Sequence, residues 1–422
     1  MQATDALAFP KLRPVEVRQA RDHPGAYQLF DPSGISTSVF TVSAATLAIL
    51  AGMDGQHDRA AIQVEFLRRH GRLLFSDELN ELIRQLDNAL LLDGPAFEVR
   101  LQQLEEAYRR STSRPIRDVH TLGAPVERLG EYLDSFLNHQ HEAAGANAGS
   151  TARHNQTSGG PVAGLIAPHL DYRRGFPCYA AAYADLAHRT DAQRFVILGT
   201  NHFGRCPFVV GTRKDFQTPF GLVPHDEAFM NRLNERLGLD LCEGEHDHVR
   251  EHSIELQVIL LKHLLPDRAF TIVPYLCPDP CGPSGTAPRD GRGVDLKAFA
   301  EALGEQIEAD PVPTCLIAGA DLSHVGRYFN DDRNLDADSL HAIESSDRRA
   351  LAQVEAGEPE AFRQAVSAAK NATNICSVGC IYALTTALKG RASARLLRYH
   401  QAITPEQENC VTCAALEFLN PT

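Results

Sequence analysis

Three short polar segments, each carrying a histidine, directly follow apolar runs in the second half of the chain. They are residues 168–172 (PHLDY), 199–202 (GTNH) and 320–324 (ADLSH). Such apolar runs are typical of strands buried on both faces, and open α/β sheets bind ligands at the carboxyl ends of their strands. A single histidine after a strand is usually structural. Three at equivalent positions indicate a shared site containing His169, His202 and His324.

A fourth polar cluster, residues 246–255 (HDHVREHSIE), precedes a predicted helix over 253–265. On a helix that begins there, His252 and Glu255 are three positions apart and share one face. A serine followed by an acid is also a common helix start, and Glu255 then only complements the helix dipole. The spacing differs from HExxH, so a zinc protease of that class is not indicated.

Two cysteines form the fifth cluster, residues 374–380 (NICSVGC), at the start of a predicted helix. A thiolate near a helix N-terminus has a lowered pKa, which suits either metal ligation or redox reactivity. Cys376 and Cys380 are four positions apart and share a face if both are helical. Cys410 and Cys413 form a CxxC without a regularly spaced companion pair, so they are expected to be strand or core cysteines.

Composition narrows the class of protein. The 422 residues carry 41 Lys+Arg and 54 Asp+Glu, a net charge of −13 that argues against nonspecific nucleic-acid binding. No segment approaches the ~20 apolar residues of a membrane helix, and no basic-then-apolar leader is present, so a cytoplasmic protein is expected. All ten cysteines follow residue 177 and are expected to be thiols or ligands rather than disulfides.

The elements that must position these residues fall into two parts. From residue 161, apolar strand-like runs alternate with helical patterns, which predicts an α/β sandwich over residues 115–422. Residues 1–114 contain two short β-type runs and several helical patterns, which predicts a small winged-helix-like α+β domain with a connecting helix. Residues 139–161 are rich in Ala, Gly, Ser and His, which predicts a flexible insertion.

The larger part resembles the Memo family, in particular the group described as AmmeMemoRadiSam system protein B. The motifs that carry the resemblance are PHLDY (168–172), GTNH (199–202), TP (218–219), REHSIE (250–255), ADLSH (320–324) and TNIC (373–376). Their order and spacing are in register from about residue 115 to 419. The resemblance implies a fold similar to class III extradiol dioxygenases. It also implies a metal held by His169, His202 and Cys376, the cysteine standing where those enzymes have a carboxylate.

The resemblance also implies a chemistry. Two imidazoles and a thiolate suit a single iron(II), with copper or zinc as alternatives. His324 is the expected general acid/base, Asp321 or Glu255 would orient it or a ligand histidine, and His252 is a further polar neighbour. The expected function is a dioxygenase-like oxidoreductase acting on a small molecule or a peptide. The alternative is a non-catalytic iron-, copper- or peptide-binding accessory protein that works with a radical-SAM partner.

The sequence departs from the family pattern at two places, and its front part has a resemblance of its own. Asp171 replaces a glycine beside His169, and the arginine expected after the cysteine is absent while Cys380 follows one helical turn later. These changes leave open a different metal or a Cys376–Cys380 redox pair. Residues 25–95 resemble PqqD-like domains, which are winged-helix-like peptide-recognition modules, through FTVS (40–43), MDG (53–55) and the leucines 90–92. A helical docking domain is the alternative.

Overall fold

The computed structural model describes residues 7–20, 23–117, 119–135, 137, 160–184, 186–406 and 408–421. The predicted insertion at 139–161 lies outside the described residues as far as residue 159. The chain divides into two compact units, Met1–Arg110 and Ser111–Thr422. Both combine helices with strands, and the α/β class predicted from the sequence is confirmed.

The N-terminal unit contains a three-stranded antiparallel sheet in the order β1-β2-β3 and four helices. Its elements are β1 (Glu16–Gln19), β2 (Ala26–Phe30), β3 (Phe40–Ser43), α1 (Ala44–Leu50), α2 (Arg59–His70), α3 (Ser76–Asn88) and α4 (Pro95–Arg110). The Ser43 hydroxyl accepts a hydrogen bond from the Thr46 amide and so caps α1. Apolar side chains of α1, α2 and α3 form a core with Leu29 and Leu92.

The second unit is built on an eight-stranded sheet in the order β12-β14-β5-β11-β6-β10-β7, with β13 paired to β14. Its strands are β5 (Val162–Ala167), β6 (Arg194–Thr200), β7 (Val210–Gly211), β10 (Thr271–Cys277), β11 (Thr314–Gly319), β12 (Asp321–Gly326), β13 (Ser393–Ile403) and β14 (Asn409–Leu419). The four central strands β5, β11, β6 and β10 are parallel and almost wholly buried, as their apolar runs predict. Their carboxyl ends therefore meet at one edge of the sheet.

Helices cover both faces of this sheet. They are α5 (129–135), α6 (Tyr172–Tyr183), α7 (Leu186–Arg189), α8 (Glu227–Leu237), α9 (Glu255–Leu264), α10 (Leu296–Ala309), α11 (Ala337–Glu355), α12 (Pro359–Ala368) and α13 (Val378–Leu388). One core lies between the sheet and α8 with α10 to α13, and the other involves α5, α6 and α9. Every residue of α13 is buried, which fits its apolar sequence.

A small second sheet joins the start of this unit to its body. Strand β4 (Ser113–Arg114) pairs in parallel with β8 (Asp215–Thr218), which forms a hairpin with β9 (Gly221–Val223). This pairing attaches the first residues of the unit, 113–114, to residues 215–216 in its body. Within the described part of the chain, no helix is both long and apolar enough to cross a membrane.

Two helices begin later than the sequence predicts. Helix α9 starts at Glu255 rather than at 253, so His252 lies in the preceding loop. Helix α13 starts at Val378, so Cys376 lies before the helix while Cys380 lies inside it. In both cases the serine next to the histidine or cysteine bonds to a neighbouring strand or loop instead of extending the helix.

Candidate metal centre

Three histidines converge at the carboxyl edge of the sheet. His169 follows β5, His202 follows β6, and His252 lies in the loop before α9. One ring nitrogen of each lies within 4.8 Å of the others. The His169 and His202 rings meet edge to face at 4.8 Å, whereas the His202 and His252 rings stack at 5.3 Å. Three imidazoles this close form a group that could hold a metal ion.

His169 is oriented by the neighbouring strand β11. Its Nδ1 lies 2.9 Å from the Gly319 carbonyl oxygen. Because a carbonyl oxygen can only accept, Nδ1 carries a hydrogen, and Nε2 is the ring nitrogen left to face a metal ion. The His169 amide donates to Asp321 Oδ1 at 3.1 Å, and the side chain is buried. His169 is thus held in the tautomer that a metal ligand needs.

His202 is oriented by Glu251, which is almost completely buried. The His202 Nδ1 lies 3.0 Å from Glu251 Oε1, and the His202 amide donates to Oε2 at 2.9 Å. Glu251 also accepts from the amides of His252 and Ser253, at 2.9 Å and 3.0 Å. Burial opposes ionisation of Glu251, but His202 and these donors outweigh it and hold the pKa of the carboxyl well below its usual range. Glu251 is therefore a carboxylate that fixes the His202 ring and leaves its Nε2 for a ligand.

Sequence reasoning did not select Glu251, although it lies inside the REHSIE motif. The available signal was a carboxylate one position before a candidate histidine. A metal-ligating histidine commonly donates its second ring nitrogen to a carboxylate. In the folded chain, Glu251 hydrogen-bonds the ring of the histidine 49 positions earlier, whereas the ring of its sequence neighbour His252 lies farther away, with Nδ1 3.7 Å from Oε1.

Cys376 completes the group of predicted ligands. Its Sγ lies 3.5 Å from His169 Nε2 and 3.2 Å from the Ser377 hydroxyl. Burial opposes ionisation of the thiol, but the imidazoles of His169 and His202 outweigh it and lower its pKa to about 6. The structure thus brings together His169, His202 and Cys376. It adds His252, which the sequence analysis expected only as a polar neighbour.

Asp321 and His324 lie on β12 beside this cluster. Asp321 Oδ2 is 3.5 Å from His169 Nε2, and burial raises the pKa of Asp321 to about 6. The His324 Nδ1 donates to the Leu322 carbonyl at 2.9 Å, and burial lowers the pKa of the ring. His324 also packs edge-on against Phe329, with 5.1 Å between ring centroids. Asp321 can therefore change protonation state near pH 6, whereas burial favours the neutral form of the His324 ring.

Three other residues from the sequence analysis have different surroundings. The Glu255 carboxylate pairs with the buried Arg114, outside the histidine cluster. Asp171 caps α6 by accepting from the Arg174 amide at 3.0 Å. Cys380 is buried within α13, where burial raises its pKa to about 12, so it is a neutral thiol at pH 7. A neutral buried thiol argues against a Cys376–Cys380 redox pair.

Two glycines allow the loops to pack this closely. A Cβ at Gly199 would lie 2.4 Å from the Ser253 hydroxyl, and one at Gly319 would lie 2.3 Å from the Ser253 carbonyl oxygen. The Ser253 hydroxyl accepts a hydrogen bond from the Thr200 amide at 3.0 Å. The loop that carries Glu251 and His252 therefore lies directly on the ends of β6 and β11.

Comparison with known proteins agrees with this architecture. Residues 133–417 match the model of a family described as Memo-like protein. The chain belongs to the Memo-like family. It is 27% identical over 328 residues to a MEMO1 family protein of Aquifex aeolicus, covering 78% of each chain. It is 28% identical over 331 residues to a MEMO1 family protein of Thermus thermophilus, covering 78% of this chain and 90% of the relative. The family predicted from the motifs is confirmed.

Proposed function

We propose that the Memo-like unit binds one metal ion through His169, His202 and Cys376, with His252 as an adjacent nitrogen donor, and uses it in oxidoreductase chemistry. The observation that carries this proposal is the anchoring of both Nδ1 atoms. The Gly319 carbonyl oxygen holds one and Glu251 holds the other. Both anchors leave Nε2 for the ion, as in known metal–histidine sites.

The donor atoms fit a transition metal. Imidazole suits iron, copper and zinc, and a thiolate favours softer ions over magnesium or calcium. Iron and copper both supply one-electron and O₂ chemistry when bound, and of the two we propose iron(II) first. The proposed class is a dioxygenase-like oxidoreductase.

The remaining residues would handle protons and shape the site. Asp321, with its pKa near 6, can hold or release a proton beside His169. His324 keeps Nε2 as a proton acceptor because its Nδ1 is committed to the Leu322 carbonyl. Phe203 is partly exposed and its ring centroid lies 5.9 Å from that of His202, so it offers an apolar surface to a small-molecule or peptide substrate.

Metal analysis of anaerobically purified protein tests the proposal. We expect a single ion in the wild type, its loss in His169→Ala, and its retention in His263→Ala. The control histidine is matched because it pairs with Asp134 outside the cluster. Equal metal content in the wild type and His169→Ala would contradict the site.

Oxygen consumption by the iron-loaded protein then separates the two functions. Uptake that depends on an added substrate supports an oxidoreductase. A protein that holds the ion but never consumes O₂ would favour the alternative, a metal-binding accessory protein of a radical-SAM partner.

A further inference from the structure

Arg114 is an arginine buried at the start of the Memo-like unit. Its residue is only 1% exposed. It lies on β4, opposite Phe216 of β8, and its guanidinium lies over the Phe216 ring at 5.0 Å from the centroid. A buried arginine is rare unless its donors are satisfied, so its partners show what it holds in place.

Within the described part of the chain, the polar partners of Arg114 lie in residues 248–255, which end at the first residue of α9 and are called loop 248–255 below. Its Nε donates to the His248 carbonyl oxygen at 2.7 Å. One Nη donates to the Glu251 carbonyl oxygen, and the other pairs with the Glu255 carboxylate. Three acceptors spread over eight residues thus share one planar group, which holds the segment against β4.

The same loop carries the residues that orient the histidines. The Glu251 carbonyl is held by Arg114, while its carboxylate accepts from His202 Nδ1 and from the His252 amide. A displacement of the Glu251 backbone would therefore move the carboxylate that sets the His202 ring. Arg114 therefore acts on His202 through one intermediate residue, Glu251.

We propose that Arg114 is a positioning residue for the metal centre, because its guanidinium holds loop 248–255 so that Glu251 orients His202. The inference rests on the proposed metal-binding function. A lysine cannot replace the arginine, since one ammonium group cannot reach three acceptors spread across a plane. Arg114→Lys therefore keeps the charge and removes the positioning.

The test uses the full-length protein loaded anaerobically with Co²⁺, whose visible spectrum reports ligand geometry. We expect Arg114→Lys to bind Co²⁺ about 10- to 100-fold more weakly, the usual loss when the support of a ligand is removed. We also expect its d–d and thiolate-to-Co²⁺ bands to shift. A role in folding alone would lower the melting temperature without changing the spectrum of the folded, loaded protein.

Arg194→Lys is a matched control. Arg194 is buried, pairs with Asp226 and Asp310, and lies over the Phe229 ring, but it is at the opposite end of β6. We expect this variant to lose stability and to keep the wild-type Co²⁺ affinity and spectrum.

Two different results would overturn the inference, and only one of them would also refute the proposed metal-binding function. Wild-type affinity and spectrum in Arg114→Lys would refute the role of Arg114 and leave the proposed function standing. Failure of the wild type to bind Co²⁺ or iron would refute both. If Arg114→Lys does not fold, Glu255→Gln weakens the ion pair that holds the guanidinium and leaves Arg114 itself unchanged. A smaller shift in the same direction is expected, and an unchanged spectrum would refute the role.

Discussion

Replacing Glu251 with glutamine tests the arrangement of the site most directly. Oε1 accepts from His202 Nδ1, the His252 amide and the Ser253 amide, whereas Oε2 accepts mainly from the His202 amide. The glutamine oxygen will take the position of Oε1, where it keeps three donors. The glutamine NH₂ group then takes the position of Oε2 and faces the backbone N–H of His202. Two donors then oppose each other, and the loop must shift.

The magnitude follows from these contacts. A hydrogen bond to a charged group contributes about 1.5–3 kcal/mol, and the variant loses one such bond and weakens the others. The glutamine oxygen still accepts from His202 Nδ1, but the lost charge and the shifted loop weaken this bond. Impaired support of a ligand histidine weakens metal binding about 10- to 100-fold, or about 1.4–2.8 kcal/mol. We therefore expect Glu251→Gln to lose stability and to bind Co²⁺ more weakly by this factor.

The pH dependence of unfolding gives an independent measure. The pKa of Glu251 is lower in the folded protein than its ordinary value of 4.5. Its ionised form therefore stabilises the fold above about pH 4.5, and this contribution is lost as the pH falls through the folded pKa. Chemical unfolding of the metal-free protein between pH 3 and 7 should show a steeper acid loss in the wild type than in Glu251→Gln.

Glu417→Gln serves as the control for both measurements. Glu417 of β14 is also buried, but it pairs with Arg189 of α7 and Arg395 of β13 and is not part of the histidine cluster. We expect it to lose stability and keep Co²⁺ affinity. Equal Co²⁺ affinity in the wild type and Glu251→Gln would show that Glu251 does not orient His202, and the reasoning would fail.

Two further predictions concern the thiolate and protons. Cys376→Ser should remove the thiolate-to-Co²⁺ band and weaken Co²⁺ binding. Cys281→Ser, which changes a cysteine in a polar loop, should alter neither the band nor the affinity. A band that persists in Cys376→Ser would exclude the Cys376 sulfur as a ligand. Burial opposes protonation of His202, but the Glu251 carboxylate outweighs burial and raises the pKa of the His202 ring. A metal ion must therefore displace a proton from His202 and, below about pH 6, a second proton from Cys376. Co²⁺ affinity should therefore rise as the pH increases from 5 to 8, and a flat titration would argue against these two ligands.

The apolar runs in the sequence were enough to predict that His169 and His202 lie together at the ends of two strands, and the reason is geometric. Strands β5 and β6 are parallel and flank β11, so residues just beyond their ends must lie near each other. His169 and His202 could therefore be paired from the sequence. Cys376 was a candidate from its position at the start of a predicted helix, but only the family resemblance grouped it with these two histidines.

Other features depend on contacts that no local pattern contains. Helical spacing placed His252 and Glu255 on one face, but α9 begins only at Glu255, so the two side chains join different groups. The segment 321–326 is a strand paired with β14, although its polar sequence resembled a loop. Polar residues are tolerated there because the Ser323 hydroxyl donates to Asp347 inside the core. The PqqD-like interpretation of residues 25–95 stays a prediction.

The position of Arg114 also decides how this protein can be shortened. A version that begins at residue 115, where the sequence suggested a boundary, would leave the Glu255 carboxylate buried without its cation. Removing one partner of a buried ion pair costs about 3–5 kcal/mol, a large share of the 5–15 kcal/mol that typically stabilises a domain. A version that begins at residue 133, where the match to the family model begins, would also lack Arg114. A usable shortened protein should therefore begin no later than Ser111, so that β4 and its guanidinium remain.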